Sequence, residues 1–289
     1  MKTNLVIHDT TAAHIEQFLQ NPTHSLLLAG PDGIGKGSIA DAIAADLLKA
    51  DVQSHPHVMR IVPDGSSISI ETIRELQKFL QLKTIGKEPI RRAVIIEHAQ
   101  SLTTEAQNAY LKLLEEPPSD TVMLLTVNSP RALLPTILSR IPIITVHAPN
   151  ETQLAALLRA SDKDEALQRQ AYFLSGGLPG LLSALIASDE THPLVASVTA
   201  AKEILQRNTF ERLAMVDSLS KQKETASAVL EALERIAQAG VEGATTKQDQ
   251  NRIKQWHLIR KQTVSARESL GKNANTKLTL SNLFLHLPG

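Results

Sequence analysis

A glycine-punctuated turn between an apolar run and a helix-forming run constrains this chain more than any other feature. Leu26, Leu27 and Leu28 lead through Ala29 into Gly30-Pro31-Asp32-Gly33-Ile34-Gly35-Lys36-Gly37-Ser38, and Ile39-Ala40-Asp41-Ala42-Ile43-Ala44 follows. The order is strand, phosphate loop, helix. Glycines let successive backbone N–H groups turn toward one anion, the following helix presents its positive N-terminal end, and Lys36 adds a mobile charge for the outer phosphates. Gly30 to Lys36 has the Walker A spacing, which normally continues with Ser or Thr as the Mg²⁺ ligand. Here that residue is Gly37, which has no oxygen to offer. Two readings follow: Ser38 substitutes from a poorer position, or the loop is a phosphate cradle without its metal ligand.

The rest of the chain fits around that loop. Arg91 to His98 is an apolar, β-branched strand ending in Glu97 and His98, and Thr121 to Asn128 is another ending in Asn128. Buried parallel strands deliver polar groups in this way to the edge where a phosphate loop lies. At such a strand end, phosphate-loop proteins place the groups that hold the metal and orient the attacking water. Helical patterns fall between the strands, at Thr10 to Gln20, Ser38 to Lys49, Ile70 to Leu82 (broken by Gly86 to Pro89), Thr104 to Glu116 and Arg131 to Ser139. Strands at Ser54 to Pro63 and Ile143 to Val146 complete a strand–helix alternation, so the expected fold is α/β with a parallel sheet, to residue 149. Thr104-x-x-Gln107 reads as a capping box and Pro117-Pro118 as a helix stop. Beyond Pro149-Asn150 the strand signals cease. Helices at Glu151 to Ala160, Asp164 to Ser175 and Leu181 to Ala187 predict a small helical lid over 150–188. After Asp189-Glu190-Thr191-His192-Pro193, an all-helical unit over 189–289 is predicted, with a break near Gly240 to Gly243.

Composition narrows the classes. With 289 residues, two or three domains are expected, and 42% hydrophobic with 21% charged residues suits globular cores. Thirty basic residues balance thirty acidic ones, so no global field draws the chain to nucleic acid, and 3% aromatics argue against base-stacking platforms. The absence of cysteine excludes disulfides, thiolate zinc sites and cysteine catalysis. His55 and His57 flank a proline and read as a solvated turn. No apolar run approaches the ~18 residues of a membrane span, so a cytoplasmic protein with no membrane partner is expected. Lys83, Lys87, Arg91 and Arg92 form a basic cluster read as a solvated surface loop, and Trp256 is expected to pack inward among charged residues.

Asn108-Ala109-Tyr110-Leu111-Lys112-Leu113-Leu114-Glu115-Glu116-Pro117-Pro118, followed by Leu134-Pro135-Thr136-Ile137-Leu138-Ser139-Arg140, resembles the signature of bacterial DNA polymerase III clamp-loader AAA+ subunits, most of all their delta prime branch. The resemblance covers residues 5–187 and returns at Asn275 to Leu285. It implies an AAA+ domain over 1–149, a helical lid, and a C-terminal collar that holds an oligomeric ring. It also implies assembly with gamma/tau and delta subunits, and action on a sliding clamp and primed DNA. The nucleotide-binding positions it implies are Gly30, Gly33, Gly35, Lys36, Gly37, Ser38 and the sensor Asn128, for ATP or ADP. The family's Asp-Glu pair falls on Glu97 and His98, its lid arginine on Leu181, and its four-cysteine zinc module is missing, so Mg²⁺ is doubtful and zinc is not expected. Arg140 stands where the family's Ser-Arg-Cys motif places an arginine finger that reaches a neighbouring subunit's ATP site, although Ile141 replaces the cysteine. The resemblance therefore implies a non-hydrolysing subunit that lends Arg140 in trans. Two rival readings stand beside it: an active Mg-ATPase using Ser38 and Glu97, and a DNA-binding AAA+ protein with an unrelated helical tail.

Overall fold

The structure, a computed structural model, describes residues 5–85, 87–159, 161, 163–189 and 192–288. Three expected features, the break at Gly86, the helix end at Ala160 and the Glu190-Thr191 link, lie outside the described residues. The chain forms two compact units, Met1–Ala155 and Ala156–Gly289.

The first unit runs α1 (Asp9–Gln20), β1 (Ser25–Ala29), α2 (Lys36–Leu48), β2 (Val58–Ile61), α3 (Ile70–Leu80), β3 (Arg92–Ile96), α4 (Thr104–Glu115), β4 (Thr121–Val127), α5 (Pro135–Leu138) and β5 (Ile143–Thr145), after which α6 (Glu151–Arg159) crosses into the second. The strands are all parallel in the order β2-β3-β4-β1-β5, with Leu27 opposite both Leu125 and Ile143. Every residue of β1, β3 and β4 is buried, as expected for strands covered on both faces. Successive side chains alternate between faces. On one face Leu27, Val94, Ile96, Met123 and Leu125 pack with Ile73 and Leu76 of α3 and Tyr110 of α4. The adjacency of β3, β4 and β1 matters most for function. Their three C-terminal ends deliver Glu97, Asn128 and the phosphate loop to one edge.

Three local expectations are corrected. The cap of α4 is Thr103, whose hydroxyl accepts from Ala106 N at 3.2 Å. Gln107 is therefore one position too far along to close a capping box. Its buried side chain instead donates to Leu102 O at 3.2 Å and accepts from Leu134 N at 2.8 Å, tying α4 to the segment before α5. The pattern at Arg131 to Ser139 is not one helix but a 3-10 turn at Pro130–Ala132 and the short α5, because Pro135 can begin a helix but cannot continue one. The basic cluster is not a uniformly solvated loop. Arg92 is 1% exposed, lies 5.2 Å over the Phe79 ring, and donates to Leu80 O at 2.6 Å and to Leu82 O. It neutralises the carbonyl end of α3, which carries partial negative charge.

The second unit is helical throughout: α7 (Glu165–Ser175), α8 (Pro179–Ala187), α9 (Pro193–Gln206), α10 (Thr209–Ala214), α11 (Val216–Leu219), α12 (Lys223–Thr246), α13 (Gln250–Gly271) and α14 (Thr276–His286). Val229, Leu230, Leu233 and Ile236 of α12 form the core with Ile259, Ala266 and Leu270 of α13 and Leu280, Leu283 and Phe284 of α14. The predicted break near Gly240 does not occur, and α12 continues through it. A Cβ at Gly240 would lie 2.3 Å from Trp256 Cδ2, so this glycine is where the α13 indole rests on the backbone of α12. Close approach, and not a turn, accounts for it. Trp256 itself packs against the core, as the sequence indicates.

Candidate functional site

The loop that leaves β1 is shaped by two left-handed glycines, Gly33 (φ 80°) and Gly35 (φ 93°), and α2 begins immediately afterwards at Lys36. A residue with a side chain would strain either position. Lys36 is buried, and its ammonium donates to Gly30 O at 2.6 Å, Asn128 Oδ1 at 2.9 Å and Pro31 O at 3.0 Å, with Asp32 Oδ1 at 3.4 Å. Burial pushes its pKa below the usual lysine value, against the opposing charge and hydrogen bond of Asp32. Asn128, at the end of β4, also donates through Nδ2 to Asp32 Oδ2 at 2.7 Å, and its own N–H donates to Gln100 Oε1 at 3.3 Å. The loop lysine and the strand-end amide are thus brought together, with Asp32 between them.

The metal side of the cleft is built differently. Gly37 faces Glu97: a Cβ placed there would sit 3.7 Å from Glu97 Oε2. Glu97 is paired with Arg60 of β2, and the same guanidinium pairs with Asp41 of α2. Burial disfavours the Arg60 charge, but hydrogen bonds to Asp41 and then Glu97, with both carboxylate charges, outweigh it and raise the Arg60 pKa. His98 adopts a left-handed backbone (φ 51°), and its Nδ1 lies 3.8 Å from Asp32 Oδ1. Ser38 is exposed. Among the described residues no three His, Cys, Asp or Glu side chains converge on one point. The loop residues fit an anion, and beside them the position of a metal-ligating hydroxyl is a glycine and the nearby carboxylate is engaged by Arg60.

Asp32, Arg60 and Asp41 were not singled out by the sequence. A carboxylate inside a phosphate loop is a visible signal, since it sets a negative charge where phosphates would lie. Arg60 carried none, because only the β2–β3 pairing in the sheet brings it to Glu97.

Arg140 lies elsewhere. It follows α5, and its side chain is 42% exposed, donating to Thr136 O at 3.1 Å and to Glu115 Oε1 at 3.3 Å. Leu27 N donates to Pro142 O, so Arg140 sits at the N-terminal edge of the sheet while the loop sits at the C-terminal edge. Leu181, where the resemblance would put a lid arginine, is fully buried.

Residues 8–150 match the family model described as "DNA polymerase III, delta subunit". The DNA polymerase III subunit delta' of Pseudomonas aeruginosa is 36% identical over 179 residues, 54% of this chain and 53% of that protein. The N-terminal half of the chain is thus similar to clamp-loader AAA+ proteins of the delta prime kind. The delta' subunit of Bacillus subtilis, 32% identical over 134 residues, covers 41% of the chain and 40% of its own length. The chain spans about half the length of the curated clamp-loader relatives it matches. A crystal structure of a gamma subunit-related DNA polymerase III protein from Thermotoga maritima aligns over 96% of this chain and 98% of that one, with a TM-score of 0.52 at 22% identity. That likeness is one of fold. Of the expected site residues, Lys36 and Asn128 meet at the loop, while Gly37 has no hydroxyl and Glu97 is held by Arg60.

Proposed function

We propose that this chain is a delta prime type clamp-loader subunit that does not hydrolyse ATP and instead lends Arg140 to a neighbouring subunit's ATP site. The observation that carries the reading is the position of Arg140. It is exposed and precedes the N-terminal end of β5, whereas the phosphate loop leaves the C-terminal end of the neighbouring β1, so it is placed to be offered outward to a site on another chain. Its own cleft, meanwhile, lacks a hydroxyl at Gly37 and has Glu97 already engaged. A permanent charge with a fixed fork of donors suits a group that must meet a γ-phosphate across an interface, and such fingers contribute about 10³ to 10⁵ in rate in other phosphoryl-transfer systems.

In this reading residues 1–149 are the AAA+ domain, 150–188 the lid and 189–289 the collar that joins the ring. The partners are gamma/tau ATPase subunits and delta, and through the assembly the sliding clamp and primed DNA. ATP or ADP is the ligand class the loop would accept, held by backbone N–H groups, Lys36 and Asn128. The test is reconstitution of the assembly with Arg140→Ala. ATP turnover at least tenfold below that of the unmodified assembly, with unchanged assembly by size-exclusion chromatography, is expected. Undiminished turnover rejects the role. Magnesium-dependent hydrolysis by the chain alone, abolished by Lys36→Ala, would favour the active ATPase reading instead.

A further inference from the structure

The cleft at the sheet's C-terminal edge is already liganded by its own side chains. We propose that Asp32 and Arg60 are resident stand-ins for a phosphate and a divalent cation, holding the cleft in a finished form without nucleotide. The inference deepens the non-hydrolysing reading above and rests on it.

On the phosphate side, Lys36 Nζ has three protons and four acceptors within reach, Gly30 O, Pro31 O, Asn128 Oδ1 and Asp32 Oδ1. Asp32 is the anion among them, and its second oxygen takes the Asn128 amide at 2.7 Å. A bound phosphate oxygen would call on those same two donors, the ammonium and the carboxamide. Carboxylate and phosphate thus compete for one charge and one pair of partners, and the carboxylate is tethered in the loop itself. Tethering gives it a high effective concentration, so the free anion is at a disadvantage.

On the metal side, one guanidinium bridges Asp41, one turn along α2 from Gly37, and Glu97 at the end of β3. It bridges two carboxylates, as a divalent cation does, although its single charge neutralises only one of the two. It differs in offering no open coordination position for a phosphate oxygen or a water, and its charge cannot be removed by pH. The missing side chain at Gly37 belongs to the same arrangement, since the glycine faces the Glu97 carboxylate. Two ordinary ion pairs on one edge would explain neither why both anchor the groups that face phosphate and metal nor why the loop lysine has no donor left over.

The experiment is calorimetric titration of the full chain with ATP and with ADP, each with and without Mg²⁺, for the unmodified chain, Asp32→Ala, Asp32→Asn and Arg60→Gln, with circular dichroism as the check on folding. Asp32→Ala is expected to bind ADP at least tenfold more tightly than the unmodified chain. Asp32→Asn, which loses the charge and keeps the shape, is expected to gain at least threefold and decides the matter should the alanine variant not fold. In the unmodified chain Mg²⁺ is expected to change ATP affinity less than twofold, and in Arg60→Gln to tighten it at least threefold. A gain below threefold in the folded Asp32 variants, or an unmodified chain whose ATP affinity Mg²⁺ raises tenfold, overturns the proposal. Hydrolysis by the unmodified chain would instead sink the non-hydrolysing reading, and is read separately by phosphate release.

Discussion

Arg140 donates to Glu115 Oε1 at 3.3 Å across open surface, with the two side chains 42% and 55% exposed. Exposed pairs of this kind contribute only about 0.2–1 kcal/mol, so the contact parks the guanidinium without binding it fast. Glu115→Gln should therefore lower the melting temperature by no more than a degree or two and leave turnover of a reconstituted assembly intact. Arg140→Ala should be equally mild on stability yet strongly depress turnover. Equal losses of turnover in both variants would mean that the surface pair, and not a donated arginine, is what matters.

Gly240 and Trp256 make a packing prediction in which two effects oppose each other. Alanine in mid-helix is favoured over glycine by about 1 kcal/mol, but a Cβ here would meet indole atoms at 2.3 to 2.8 Å. Overpacking of a filled core costs about 1–3 kcal/mol. Gly240→Ala should thus lower the urea midpoint, whereas in a Trp256→Leu background the same change should become neutral or stabilising. A stabilised single variant would contradict the close approach.

Asp120 supplies a pH dependence. Burial alone would raise its pKa, but the hydroxyls of Thr84 and Thr121 and the charges of Arg92 and Arg91 outweigh burial and hold it below the usual carboxylate value. The unfolded chain then binds this proton more readily than the folded one, so stability is present above about pH 4 and is lost as pH falls through the folded value. Chemical denaturation between pH 6 and 3 should show that decline. Asp120→Asn should lower stability at pH 6 and flatten the decline; parallel curves for the two proteins would refute it.

Among the described residues Arg212 is buried with no carboxylate paired to it, its guanidinium instead serving Ile204 O at 2.8 Å, Leu287 O at 3.0 Å, Pro288 O at 3.1 Å and Leu205 O at 3.3 Å. Burial pushes its pKa below the usual arginine value. Arg212→Met would leave these carbonyls without their donor, at about 1–3 kcal/mol for each buried group left unsatisfied. A loss of about 3 kcal/mol or more in urea unfolding is expected, with increased amide exchange in α14. A change under 1 kcal/mol would show that water can replace the guanidinium.

Much of this was legible in the residues, for reasons specific to each. The phosphate loop and the strands ending at Glu97 and Asn128 announce themselves because glycine spacing and β-branched runs are local signals. The resemblance at Asn108 to Arg140 located the exposed arginine. What the sequence hid were relationships between distant segments. Gly240 read as a helix break because its reason lies in Trp256 on another helix. Arg92 read as surface charge because the carbonyls it serves are ten and twelve positions earlier. Arg60 could not be linked to Glu97 before the sheet order was known. The capping box at Thr104 failed by one residue, since two adjacent threonines offer the same hydroxyl and only the backbone geometry selects Thr103.

Gly37 has room for a larger residue, because the nearest atom to an added Cβ is a carboxylate oxygen at 3.7 Å, an ordinary contact distance. Restoring a hydroxyl with Gly37→Ser should therefore be tolerated by the fold, yet it would still leave Arg60 lodged between Asp41 and Glu97. Under the proposed reading, then, a hydroxyl at position 37 would not by itself open a place for a cation, because the arginine on the neighbouring strand would have to leave as well.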